Sequence, residues 1–247
     1  MAQFALTQVE VAVDEVNLTG FANSVDISAE TDELDVTTFA GGGYRQRITG
    51  LGTFKMDVTG FQDFGTSTPG SSFPMTQLAD GGTLHTFHVA PNGGTAGNVA
   101  VLGTARGVTL QPVVGTVGDA AKFMLNLAGT GRLIQGQLLA PVAAQTSTGT
   151  GTVLAFTTPT ATQALHAAFH VHSVTGAGTI TFVVATDDSV GFGTPVTRIT
   201  SNGFTAVGSQ FSSLAGALAG ETHIRVGWTI TGFTSVLFSV AAGVGVA

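Results

Sequence analysis

The chain has 247 residues, enough for one large or two ordinary domains, and only 9% of them are charged, against roughly 25% in an average soluble domain. A net charge of −7, with six arginines and two lysines spread along the chain, excludes a surface built to hold phosphate backbones. The absence of cysteine excludes a disulfide framework, thiolate chemistry and Cys-based zinc sites.

Glycine supplies 35 residues, about twice its ordinary ~7% share, and Thr and Ser take much of the place that charge usually fills. A chain this poor in charge buries much of its outside against partners or risks aggregating. Assembly into something larger is the economical expectation. The first 16 residues include Glu10, Asp14 and Glu15 and no basic stretch, so no secretory signal is expected there. The apolar tail 236–247 is too short and Gly-rich to span a bilayer, so no membrane anchor is expected.

Strands are predicted over 9–13, 16–20, 23–30, 33–39, 50–61, 83–90, 98–110, 119–129 and 132–139. Ten of the 15 acidic residues lie in the first 63 positions. Many of them alternate with apolar residues: Ser24, Asp26, Ser28 and Glu30 against Val25, Ile27 and Ala29; Glu33, Asp35 and Thr37 against Leu34, Val36 and Thr38. Further on, Thr53, Lys55, Asp57 and Thr59 alternate with Phe54, Met56 and Val58. Successive strand residues point to opposite faces, so this pattern predicts one sheet with a packed face and an acidic wet face. An ordinary solvated face has the same pattern; a surface that keeps a polyanion from sticking is the functional alternative.

Between two of these strands lies a loop over 40–49 with Gly41, Gly42 and Gly43 followed by Tyr44, Arg45 and Arg47. Glycine makes it adaptable, and Tyr and Arg are favoured interface residues. Segment 72–80 opens with Ser72 and Pro74 and stops at Gly81 and Gly82, signals for one short helix. In 119–129, Ala121, Phe123, Leu125 and Leu127 form an apolar face.

Residues 139–152 contain no charge and no alternation and read as a linker. Residues 1–142 hold 12 acids and 6 bases, net −6; residues 143–247 hold 3 acids and 2 bases, net −1. The chain is therefore divided into domains 1–142 and 143–247. The second is predicted to carry strands at 152–157, 163–174, 178–186, 195–200, 204–207, 222–231 and 234–243, with a weak helical turn at 213–219. Turn signals every eight to twelve residues or so fit a β-sandwich. The fold class expected is all-β: a sandwich or barrel with one short helix, followed by a second sandwich.

Sites for chemistry are sparse. His166, His170 and His172 lie close together, but no carboxylate occurs between Asp119 and Asp187 to complete a ligand set, so packed or surface histidines are expected rather than a metal site. Asp187 and Asp188 lack the alternating acids of a calcium loop and read as a turn. No phosphate-binding glycine loop, nucleophile elbow or distinguishable carboxylate pair is present. Neither catalysis nor a cofactor is expected.

Residues 16–28 (Val-Asn-Leu-Thr-Gly-Phe-Ala-Asn-Ser-Val-Asp-Ile-Ser), then Asp35-Val36-Thr37-Thr38-Phe39, the Gly-rich loop, Thr49-Gly50-Leu51-Gly52 and Val58-Thr59-Gly60-Phe61 resemble the tail tube (major tail) protein of long-tailed bacteriophages, over about 10–140. Residues 189–192, Thr197-Arg198, 225–232 and 238–244 resemble the β-sandwich appendages of phage tail proteins. The resemblance implies a non-catalytic virion protein assembled in the host cytoplasm as stacked hexameric rings. It implies a channel that passes DNA without binding it; from their shared place on the polar face of the three segments, Asp26, Glu30, Asp35 and Asp57 are expected to line it, with Lys55 as counter-charge. Contacts between rings would use the 40–49 loop. Tape measure, tail terminator and baseplate proteins would be further partners, and the appendage would face a host-surface glycan. A two-domain carbohydrate-binding or adhesion protein is the alternative reading.

Overall fold

The computed structural model describes residues 8–37, 44, 45, 47–62, 82–218 and 220–247. The described residues form an all-β molecule of fourteen strands joined in one antiparallel network. The segment 72–80, expected to be the one short helix, lies outside the described residues.

The first half contains β1 (Glu10–Val13), β2 (Val16–Asn17), β3 (Ala22–Asp35), β4 (Arg47–Phe61), β5 (His85–Ala90), β6 (Val99–Val114) and β7 (Lys122–Gly129). Their order is β3-β4-β7-β6-β5-β1-β2, so the sheet curls around one core. Val11, Val13, Phe54, Met56, Val58, Phe87, Phe123, Leu125 and Leu127 fill that core. The alternation read in 53–59 is therefore real: Phe54, Met56 and Val58 are buried, while Thr53, Lys55 and Asp57 are exposed. A strand needs one apolar face to leave water, and burial of each such side chain contributes about 1.5–3 kcal/mol.

The strand β8 (Ile134–Gln145) pairs with β6 through Ile134 to Gln137 and with β14 (His223–Val246) from Gly136 to Gln145. Residues 139–145, expected to be irregular linker, are thus strand. Leu139 and Ala140 are buried there, and their apolar contacts outweigh the lack of alternation in this stretch. The short β9 (Gly149–Thr150) and β10 (Leu154–Ala155) also lie along β14.

The second half is organised by two long strands, β11 (Gln163–Asp187) and β14, paired over most of their length. Each runs through what sequence periodicity divides into two strands. The register shifts at Val171 to Ser173 and again between Thr175 and Thr179, next to Gly176 (φ +90°) and Gly232 (φ +83°). Only glycine takes such φ values without strain, so the pair bends there and both its arms face one core. Phe169 stacks on Phe182 at 5.5 Å between ring centroids, and Phe238 meets Phe182 edge-on at 4.9 Å and Trp228 at 5.2 Å. The other edge of β11 takes β12 (Val196–Thr200) and β13 (Gly208–Ala215). Residues 213–215, expected to begin a helical turn, belong to β13 because the free edge of β11 offers Ala164 to His166 as partners.

Candidate assembly surface and a buried polar layer

The strands β3, β4, β7 and β6 make a four-stranded sheet with one wet face. Residues opposite each other in register share that face. Asp26 of β3 faces Asp57 of β4, which faces Asn126 of β7, which faces Thr109 of β6. One rung away, Ser28 faces Lys55, then Ala128, then Arg106. Opposed carboxylates on neighbouring strands repel; the side-chain amide of Asn126 donates to Asp57 Oδ1 and relieves this pair. Glu30 is exposed opposite Thr53.

Beyond Thr31 the register shifts by one extra residue on β4, and Glu33, Leu34 and Asp35 then face Thr49, Ile48 and Arg47; β3 itself keeps its alternation, so Glu33 and Asp35 stand on the face opposite to Asp26 and Glu30. This outer part of the hairpin projects past the core, leaving Leu34, Ile48 and Leu51 exposed. Asp35 accepts hydrogen bonds from the Thr37 hydroxyl and backbone N–H, which hold its carboxyl below the usual range.

The structure separates the residues expected in the loop. Tyr44 is 80% exposed and Arg45 is also exposed. Arg47 is not a loop residue: β4 begins there, and its guanidinium pairs with Glu33. Both partners are more than half exposed, so the pair contributes little to stability; β4 begins at Arg47 by pairing with Asp35 of β3. Gly41, Gly42 and Gly43 lie outside the described residues.

Two further features were not legible in the sequence. Charge is divided across the sheet: β3 holds Asp26, Glu30, Asp32, Glu33 and Asp35 and no base, whereas β6 holds Arg106 and no acid. Lys122 of β7 shares the wet face, so the acidity lies at the β3 side rather than uniformly. Both outer strands also have a free edge. Among the described residues β3 pairs only with β4, and β6 from Arg106 onward pairs only with β7. Pro112, which has no N–H to donate, fits such an edge.

The second missed feature is a buried polar layer between the two halves. Glu10 on β1, His88 on β5, His170 and His172 on β11 and Ser239 on β14 are all shielded from water. Asp14, in the turn after β1 with φ +50°, aims its carboxylate into this layer. His85 Nδ1 donates to it at 2.6 Å, the Thr86 N–H at 2.8 Å and the Ser209 hydroxyl at 2.7 Å. Burial pushes the Asp14 carboxyl up, but these donors outweigh it and hold it below the usual range.

His170 Nδ1 donates to the Asp14 carbonyl at 2.7 Å, and His172 Nδ1 to the Glu15 carbonyl at 2.9 Å. The Ser239 hydroxyl lies 2.9 Å from His172 Nε2. Glu10 takes the Val142 N–H at 3.2 Å and meets His88 Nε2 at 3.1 Å. Burial pushes the Glu10 carboxyl up to about 7, and pushes His88 down to about 3 and His172 down to about 4. His170 is held well below the ordinary imidazole value, chiefly by burial. These groups form no cluster suited to a metal among the described residues. Asp187 behaves as a turn residue, accepting the backbone N–H groups of Ser189 and Thr194 at 2.9 Å each.

No family model matches the chain, and no curated protein matches it. Among solved structures, the chain is similar to one from the virion of a native gene transfer agent particle, at 20% identity and a TM-score of 0.42, covering 53% of this chain and 97% of that one. A chain from the tail of an empty gene transfer agent particle, computed with C6 symmetry, aligns at 19% identity and a TM-score of 0.40 over the same shares. The Dit protein of SPP1, described as a paradigm of hub adsorption apparatus in phages infecting Gram-positive hosts, aligns at 12% identity and a TM-score of 0.35, over 96% of this chain and 99% of that one. At these identities and scores the similarity is one of partial chain trace.

Proposed function

We propose that this protein is a structural subunit of a long-tailed phage virion that closes into stacked, hexameric rings and forms the tail tube. The supporting observation is the four-stranded sheet with two free edges. Its strands alternate in direction from β3 through β4 and β7 to β6, so β3 and β6 run antiparallel to each other. Copies related by rotation would therefore set the β3 of one beside the β6 of the next in antiparallel register. A ring closed this way is antiparallel throughout and leaves no edge. An odd number of strands would break the rule at every junction.

The charge division supports the same junction, since the acidic β3 edge meets a β6 strand that carries no acid. Six copies would give a barrel of 24 strands, about 115 Å around at ~4.8 Å per strand. In this reading the wet face lines the channel, with Asp26, Glu30 and Asp57 repelling phosphates and Lys55 and Arg106 moderating the field, while Asp35, on the outer part of the hairpin beyond the register shift, adds to that field at the channel rim. The exposed Leu34, Ile48 and Leu51 and the 40–49 loop contact the neighbouring ring. Residues 1–142 form the tube domain and 143–247 an exterior appendage offered to host-surface glycans. Tape measure, terminator and baseplate proteins are its other partners.

The absence of cysteine makes a clean test available. Single cysteines placed along β3 at Ser24 or Ser28 and along β6 at Thr109 or Gln111 should, in some pairing, cross-link under oxidant. The product expected is a ladder ending at six copies. Cysteine pairs that never cross-link in assembled protein would overturn the junction.

A further inference from the structure

We propose that the polar layer between the two halves is an acid-operated latch, in which acidification parts β1 and β5 from β11 and β14 while both apolar cores stay closed. The layer differs in kind from the cores on either side of it. Its partners join across it through neutral imidazoles: His170 and His172 of β11 donate to the carbonyls of Asp14 and Glu15, and His172 stands against Ser239. At its other end the contacts are small: Ala90, Ala100, Leu138 and Ala241. Little hydrocarbon area opposes separation there; the larger apolar contact between the halves, Leu102 and Ile134 against Ala168 and Phe211, joins β6 and β8 to β11 and β13 and acts as the hinge that stays closed.

The geometry leaves no place for added protons. His88 Nδ1 and His170 Nε2 are buried without a hydrogen-bond partner. The His88 and His170 rings are 4.8 Å apart, and His170 and His172 are 6.0 Å apart. Two cations at such separations in a buried site repel strongly. The groups facing them are few. β1 supplies Glu10; the turn after it supplies Asp14 and Glu15; β5 supplies His85; and β11 adds His166, which stacks on Phe211. β13 and β14 contribute only Ser209 and Ser239, and β8 the Val142 N–H. Asp14 already accepts three donors, so Glu10 alone has capacity to spare.

An imidazole held low in the closed state stabilises it fully above the free value of about 6.5 and loses that contribution as pH falls toward 4 and below. Glu10, held high, acts oppositely between about 7 and 4.5. One carboxyl opposes three imidazoles, so acid opens the layer.

Because the chain has no cysteine, single substitutions in the full-length protein test this between pH 7.5 and 4: Ser239→Cys reports on the layer, and Val58→Cys and Val184→Cys report on the two cores. Thiol accessibility is read with a dipyridyl disulfide, which reacts at both pH values. The Ser239→Cys thiol should react at least about tenfold faster at pH 4 while the two core thiols stay protected. His170→Asn and His172→Asn each keep a donor toward the carbonyl and cannot be protonated, so each should move the midpoint to lower pH. A layer thiol still protected at pH 4, simultaneous exposure of the layer and both cores, or midpoints unmoved in both variants would each overturn the latch. If Ser239→Cys fails to fold, Ala241→Cys on the same face of β14 reports in its place.

Discussion

Replacing Phe238 with alanine probes the core of the second half where it is most enclosed. The side chain is 1% exposed and sits between Phe182 and Trp228, edge-on to both. Truncating a buried phenylalanine costs about 3–5 kcal/mol, the transfer and cavity terms together. Each aromatic pair adds about 0.5–1.5 kcal/mol beyond its area. Phe238 takes part in two, and β11 and β14 are locked in register on either side of it, which limits collapse into the cavity. A loss near 4–5 kcal/mol is therefore expected, read as a shift in urea midpoint at constant slope. Val190→Ser, at a side chain 68% exposed, serves as the control and should stay within about 0.5 kcal/mol. A loss below about 1.5 kcal/mol for Phe238→Ala would refute the enclosed aromatic cluster.

Reversing Asp26, Glu30 and Asp35 together to Lys should leave the protein folded, because all three are exposed, but should slow DNA passage through reconstituted tails; unchanged ejection kinetics would remove these side chains from the channel. Deleting 42–46 should give folded protein that no longer polymerises, as measured by sedimentation; normal tubes would make the loop a bystander. A chain ending at Gln145, the last residue of β8, keeps the first core and all four sheet strands. It should still polymerise, with a lower thermal midpoint because Glu10 and His88 lose their cover; complete loss of polymerisation would make 143–247 part of the tube wall.

Much of the strand layout was legible because alternation is a local signal. Phe54, Met56 and Val58 read as one face and are one face, as are Phe123, Leu125 and Leu127. Arg47 was read as loop because its role depends on Glu33, fourteen residues away on the facing strand. The bends at Gly176 and Gly232 were read as strand ends because a bulged strand and a turn share the same glycine. The wet face was read as more acidic than it is, since nothing local shows that Arg106 aligns with Lys55 or that Lys122 shares that face. The polar layer was hidden for the same reason: Asp14 meets His85, His170 and Ser209 from separations of 71 to 195 residues. Histidine spacing along β11 was visible, but its partners were not.

Electron cryomicroscopy of the purified, assembled protein tests the central claim most directly. Closed rings are expected in which β3 of each copy pairs antiparallel with the 106–114 stretch of β6 in the next, with Asp26 and Asp57 facing the lumen. Assemblies in which those two edges remain unpaired, or protein that stays monomeric at high concentration, would contradict it.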